Sequence, residues 1–477
     1  MTTIAIDMAR IDGGLMTLTS EQVKELRSRL EGALLRPGDE GWDDAVLIWN
    51  GMVAKTPALV VQPVSARDVA ATVKLARQCG VLLGIKGGGH NIAGTAIAEG
   101  GLTLDMSRMC DVIVDTEAKL ARVGAGCRLQ DVDRATQEQG LATVLGFISE
   151  VGIAGLTLGG GLGYLTRRFG WSVDNLQEVE IVTADGEVRT ASRDENADLF
   201  WALRGGGGNF GVVTRFTFRL HEVGPTVFGG LIAWPFDRAD EVLAAYRTLT
   251  TEAPRELSAW LVLMRAPAEP FVPPEYHGER CCVMVVCYSG DPAGKDAAIA
   301  PIRELGDPAV DLLQEWPYTM QQSFLDESEP KGIHAYWKTE YLADLSEDLL
   351  PVLRDLAADC PIPEAQIGLL HVGGALNEHD WDDGAVGNRD ARFAVGVNGL
   401  WESGEPDAEA FRHWIRAGWK RVRPFATGGN YINFQTADDD QVPADAYGKN
   451  YERLQRVKAA YDPDNVFRVN RNIPPAS

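Results

Sequence analysis

The sequence predicts an α+β protein of two domains, and three observations predict it. Residues 58–86 read strand, helix, strand; glycines cluster at 84–94, 152–163 and 205–211; and from about residue 225 apolar strands alternate with amphipathic helical stretches. A chain of 477 residues also exceeds what one core ordinarily holds.

Taken in order, SEQVKELRSRLEGALL (20–35) reads as a capped amphipathic helix, with Val23, Leu26, Leu30 and Leu34 or Leu35 on one face. ALVVQP (58–63) is a short strand. SARDVAATVKLARQCG (65–80) is a helix with Ser65 as N-cap and Gly80 as C-cap, and VLLGIKGGG follows as strand and loop. LTLDMSRM and DVIVDTEAKLARVGAG add strands, LQDVDRATQEQG a helix. VEIVTADGEVRTA (179–191) turns as a hairpin at Asp185-Gly186, and VVTRFTFRLHEV (212–223) alternates again. Beyond 225, VFGGLIAWPF, LSAWLVLMRA, CCVMVVCYSG, AQIGLLHVGGAL and RFAVGVNGLW are strands of one large, mainly antiparallel sheet. Helices such as DRADEVLAAYRTLT and SEDLLPVLRDLAADC would cover one of its faces. The expected division is residues 1–224, 225–435 and a C-terminal segment 436–477.

The charge balance restricts partners. A net charge of −23 argues against nucleic acid or an anionic membrane surface. No apolar run reaches a membrane span, and the first residues lack the basic and apolar regions of a signal peptide. Seven scattered cysteines without a CxxC pair fit a reducing compartment, neither a disulfide framework nor a metal site. A cytoplasmic protein, monomer or homodimer, is expected.

The glycines exclude two ligand classes. None of the three clusters is followed by the Lys-Ser or Lys-Thr of a P-loop, and none opens a dinucleotide-binding strand–turn–helix. Three such loops suggest a large phosphate-bearing ligand threading between them; plain loops of a glycine-rich protein are the alternative. IKGGGHNIAG (85–94) is either a tight turn with a bystander histidine or a backbone cradle with His90 at its rim.

VLLGIKGGGHNIAG, GIAGLTLGGGLGYLTRRFGWSVDNL, DLFWALRGGGGNFGVVTRFTFRL and YDPDNVFRVNRNI, in this order, resemble the berberine bridge enzyme-like flavoprotein oxidases of the vanillyl-alcohol oxidase superfamily. The resemblance runs from about Trp49 to Ile473. It implies a p-cresol methylhydroxylase-type FAD domain, with FAD-binding subdomains over about 45–224, and a substrate domain over 225–435. It also implies that His90 bonds covalently to the 8α-methyl of the isoalloxazine, while Gly87, Gly88, Gly89 and Asn91 hold the pyrophosphate. Ile85, Lys86, Gly94, Gly146, Gly152, Gly155, Gly160, Gly163, Asn470 and Asn472 fall on the same cofactor segments, with Gly211, Val212 and Val213 on the adenine side.

One departure from the family pattern and one match within it carry information. Where many members carry a second, cysteinyl tether, this chain has Ile148, so the resemblance implies a single tether, nearer the 6-hydroxy-D-nicotine oxidase type than the bicovalent oligosaccharide oxidases. Cys127 lies in another segment and reads as a buried apolar residue. Val151 matches the position lining the oxygen approach, where valine accompanies oxidases. The implied reaction is hydride removal from a small alcohol, hydroxyl or amine carbon, with O₂ as acceptor and H₂O₂ as product. A flavin dehydrogenase, an oxidative ring-closing enzyme, or a flavin-binding protein without turnover are the rival readings.

The Tyr-x-Asn motif of the family falls on Tyr431 and Asn433, placed by alternation on one strand face; Tyr431 would contact substrate and assist deprotonation. His371 shares a face with Leu369 in an apolar strand and is either a satisfied core histidine or a catalytic one. Asn398, Tyr164 and Trp401 are candidates for the substrate pocket. The acidic stretches NEHDWDD (377–383) and TADDDQ (436–441) read as exposed loops that, at the entrance, would favour a cationic substrate.

Overall fold

Local sequence signals set the first sheet. Ser65 accepts the Asp68 N–H and caps the helix Ala66–Cys79, and Gly80, at φ 62°, ends it in the left-handed region where glycine carries no Cβ penalty. The helix buries Val69, Val73 and Ala76 against Leu59, Val61, Leu83, Leu102 and Leu104. Strands Leu59–Gln62 and Leu83–Lys86 flank Leu102–Asp105 and run parallel to it, with Ala33–Leu35 as an antiparallel edge. The computed structural model describes residues 5–438 and 443–476.

A second, antiparallel sheet runs in the order Val188–Ser192, Leu176–Val182, Val212–Arg219, Leu120–Gly124, Val112–Asp115. Its first two strands are the hairpin at Asp185-Gly186. The third sheet has eight strands, all antiparallel, built from Thr226–Pro235 through Phe393–Trp401. Helices Ala239–Glu252, Lys295–Arg303, Leu349–Ala358 and Ala408–Val422 pack on it; Tyr246, Leu353 and Ile302 bury with Leu261, Met284 and Leu369. The tail helix Tyr451–Tyr461 returns to the glycine-loop side, where Leu454 joins the first core.

Three expectations need correcting, and one strand is added to them. The first helix spans only Ser20–Arg29, and Thr19 caps it, its capping box closing with Gln22. Leu34 and Leu35 lie in the edge strand, because the Glu31 and Gly32 N–H groups bond the buried Asp68 carboxylate and turn the chain out of the helix. Strand His334–Leu342, which no alternation in the sequence marks out, pairs along its whole length with Phe393–Trp401. Tyr431 is followed by a 3₁₀ turn, Ile432–Phe434, so it and Asn433 do not sit on a strand.

Candidate active site

A long, mostly apolar cavity lies between the three glycine loops and the open face of the eight-stranded sheet. The strand Leu83–Lys86 delivers Ile85 to its wall, and Gly87, Gly88, Gly89 and His90 continue along it. Gly88 passes directly against Gly152 of the second loop. A Cβ at Gly88 would lie 2.3 Å from the Gly152 nitrogen, and one at Gly152 would lie 2.1 Å from the Gly88 nitrogen. Two bare backbones can close to this distance; two side-chain-bearing ones cannot. The Asn91 carboxamide accepts from the Ala93 and Thr95 N–H groups at 3.1 and 3.3 Å, fixing the turn that follows His90.

His90 stacks on Trp49 with centroids 5.8 Å apart, and Trp49 stacks on Trp337 at 5.5 Å. Its Nε2 is buried without a hydrogen-bond partner. Burial, with the Lys331 charge second, pushes the imidazole down to about 4, so the ring is neutral at physiological pH and one nitrogen keeps a free lone pair.

The second loop contributes Gly146, Ile148, Val151, Gly152 and Gly155 to the cavity; the third contributes Gly211, Val212 and Val213; the tail contributes Asn470 and Arg471. Asn470 Nδ2 donates to the Gly208 carbonyl at 3.0 Å, and its Oδ1 is buried without a partner. None of the seven cysteines is among the lining residues. Cys127 is buried, its Sγ 3.6 Å from the Asp111 carbonyl, and burial pushes its thiol up to about 12.

The sheet supplies the opposite wall through Trp260, Trp337, Thr339, Gln366, Gly368, Leu370 and Asn398. Tyr431 and Asn433 close it. The Tyr431 hydroxyl accepts from the Gly161 N–H at 3.0 Å and from Asn433 Nδ2 at 2.9 Å, and its ring stacks on Trp171. Burial outweighs those two donors and pushes the phenol up to about 12. Tyr431 therefore rests as a neutral phenol whose own proton is available to a ligand.

Several expected site residues are not brought to the cavity. His371 and Leu369 point to the helix side of their strand: His371 stacks on Phe393 at 5.1 Å and Leu369 joins the helix-side core. The neighbours Gln366, Gly368 and Leu370 face the cavity instead, since alternate residues of a strand face opposite ways. Burial and the charges of Arg167 and Arg392 hold the His371 imidazole down near 2, so it is a neutral core ring. Tyr164 is buried behind the wall, stacked on Trp260 at 4.5 Å, and Trp401 packs edge-on to Phe411. Lys86 turns away to the Asp44 carbonyl and Asp105, Gly94 packs against Val53, and Gly160, Gly163 and Asn472 lie outside the wall. Of the acidic stretches, Asp383 pairs with Arg204 and Asp438 with Arg416, neither lining the cavity; residues 439–441 lie outside the described residues. Sequence reasoning missed Trp49, Trp337, Thr339, Gln366 and Glu329, all of which line it.

The site fits a flavin dinucleotide. Glycine backbones leave room at one end, and buried polar atoms without partners, His90 Nε2 and Asn470 Oδ1, await a ligand. Fold and site together define an FAD-dependent oxidoreductase. The comparisons agree: an FAD-binding-domain profile matches residues 57–192, and a profile described as berberine and berberine-like matches 430–474. The chain belongs to the berberine bridge enzyme-like FAD-linked oxidoreductases. It is 31% identical to an FAD-linked oxidoreductase of Dictyostelium discoideum, over 95% of this chain and 97% of the relative. It is also 31% identical to (R)-6-hydroxynicotine oxidase of Paenarthrobacter nicotinovorans, over 94% of this chain and 97% of that protein. The crystal structure of 6-hydroxy-D-nicotine oxidase from Arthrobacter nicotinovorans superposes with a TM-score of 0.82 at 26% identity, covering 94% of this chain and 98% of that one. No helix among the described residues is long and apolar enough to cross a membrane.

Proposed function

We propose that the protein is an oxidase of a small alcohol, hydroxyl or amine carbon, holding its flavin by one covalent bond at His90. The observation that carries this reading is the His90 ring: neutral, stacked on Trp49, and with a buried nitrogen lacking any partner. When bound, FAD would accept a hydride from the substrate carbon and pass the electrons to O₂, giving H₂O₂.

The chain's own residues do the rest. Gly87–Gly89, Gly152 and Gly211–Val213 would hold the dinucleotide by backbone and close packing, and Asn470 would meet its polar edge. Trp260, Trp337 and Phe434, on the cavity wall, would keep water from the bound substrate. Tyr431, fixed by Asn433 and the Gly161 N–H, would contact the substrate heteroatom through its hydroxyl, orient the carbon and assist the loss of the heteroatom's proton to solvent as the hydride leaves. Ile148 leaves no thiol where a second tether would form, and the small Val151 leaves space for O₂. A small molecule and O₂ are thus the partners proposed, and the net charge of −23 supports no nucleic-acid role.

The test is acid precipitation of the purified yellow protein followed by a denaturing gel under ultraviolet light, with intact mass. A fluorescent band and a mass gain of one FAD are expected, both lost in His90→Ala; flavin washing free from wild type would overturn the tether. Rapid reoxidation of the reduced protein in air, with peroxide released, separates oxidase from dehydrogenase.

A further inference from the structure

The cavity wall carries few charged or ionisable side chains. Glu329 is the one carboxylate among its lining residues. It sits on segment 324–333, which joins the helix Tyr318–Ser323 to the strand His334–Leu342 and is fastened to the glycine-loop side at several points. The Asp326 carboxylate accepts from the Ser149 N–H and hydroxyl at 2.7 and 2.6 Å. Trp49 Nε1 donates to the carbonyl of Glu329 itself at 2.9 Å, and the Gly332 N–H donates to the Trp49 carbonyl at 2.8 Å. The backbone of Glu329 is therefore fixed beside the Trp49–His90 stack.

Its side chain is not. The Glu329 carboxylate makes no hydrogen bond or ion pair with any described residue, and the nearby cations are engaged elsewhere: Lys331 and Arg128 both pair with Glu150. Glu329 is half-buried, so solvent still reaches its oxygens, but no protein group offsets its charge. Its apolar surroundings push its carboxyl up to about 8, with no neighbouring charge to draw it back, so a cation that pairs with it also draws off its proton. Trp49, bonded to the Glu329 carbonyl, stacks on Trp337, which packs edge-on to Phe434, and Phe147 and Trp260 line the same cavity.

We propose that Glu329 is the specificity-determining residue of the cavity and that it selects a cationic amine, whose ammonium pairs with the carboxylate while its apolar body lies on the indole and phenyl faces. The inference rests on the oxidase reading above and decides within it for an amine over a neutral alcohol. An ammonium supplies the charge that the carboxylate lacks, and aromatic faces attract cations as well as apolar surface. A neutral hydroxyl offers neither.

The experiment is a binding titration of the FAD-loaded protein with benzyltrimethylammonium and with its uncharged isostere neopentylbenzene, read by flavin absorption and tryptophan fluorescence. Wild type is expected to bind the cation at least about tenfold tighter than the isostere; Glu329→Gln is expected to lose that preference while holding the isostere within about twofold. Glu329→Asp, which keeps the charge, is expected to retain part of the preference, and it serves if the Gln variant does not fold. Equal losses for both ligands in Glu329→Gln, or no preference in wild type, would overturn the proposal. Binding is read without turnover, so a failed oxidase reading appears separately, as normal flavin absorption with no air reoxidation.

Discussion

Gly88 and Gly152 are each glycine because of the other. Their backbones meet so closely that a Cβ on either falls within 2.3 Å of the facing nitrogen, a distance only backbone displacement can relieve. Gly88→Ala is therefore expected to cost about 2–4 kcal/mol and to lower flavin content. Gly155 lines the same cavity but has nothing within 4 Å of its Cβ position and lies in the helix Ile153–Leu158. Gly155→Ala should leave unfolding of the flavin-free protein unchanged or raise its stability by up to about 1 kcal/mol. Thermal melts of the apo forms, with flavin content measured beside them, check both. The glycine clusters are plain in the sequence. Which glycine presses on which is not, because the two loops are distant in the chain and meet only through the tertiary fold.

The tail shows what one element contributes. Lys458, on the helix Tyr451–Tyr461, is fully buried with Asp462. Its ammonium donates to Asp462 Oδ2 at 2.6 Å and to the carbonyls of Asn209 and Phe467 at 2.7 and 2.8 Å. Asp462 in turn accepts the N–H groups of Val466 and Phe467. One cation thus ties the tail, and Asn470 with it, to the third glycine loop. Lys458→Met strands a buried carboxylate and is expected to cost about 3–5 kcal/mol, seen as a lower unfolding temperature with earlier flavin release. Element existence was legible here and in most of the chain: alternation marks the strands, and Ser65 and Gly80 mark a helix to the residue. Facing was not. The strand Glu364–His371 puts Ala365, Ile367, Leu369 and His371 on one face and Glu364, Gln366, Gly368 and Leu370 on the other, and alternation separates these faces without saying which meets the cavity. That is why His371 drew attention and Gln366 did not. Tyr431-x-Asn433 shows the opposite failure, since a two-residue spacing fits a strand and also this 3₁₀ turn, where the phenol and carboxamide meet by hydrogen bond.

At the scale of the molecule, the glycine-loop side and the eight-stranded sheet are joined by buried polar contacts that no local pattern announces. Arg389 binds Asp174 through two hydrogen bonds of 2.8 and 2.7 Å, and Asp133, on the helix Leu129–Gln137, meets Gln322 Nε2 at 3.1 Å. The second contact makes stability depend on pH. Asp133 is 2% exposed and its Oδ1 has no partner. Burial pushes its carboxyl from 3.8 to about 7, Gln322 offsetting only part. Between those values the unfolded chain has released the proton while the folded one still holds it. The contribution of Asp133 to stability is therefore full below about pH 4, falls as pH rises to about 7, and is flat above. The whole loss is up to about 4 kcal/mol, because every tenfold fall in proton concentration across that window favours the unfolded chain by about 1.4 kcal/mol. Asp133→Asn keeps an oxygen to accept from Gln322 and has no proton to release. Its unfolding temperature relative to wild type is expected to climb from pH 4 to pH 7 and to hold constant from there to pH 9, measured in parallel melts of the two proteins. A difference that does not change with pH would mean that Asp133 ionises in the folded protein as readily as in the unfolded chain, and that the interface at Gln322 admits water.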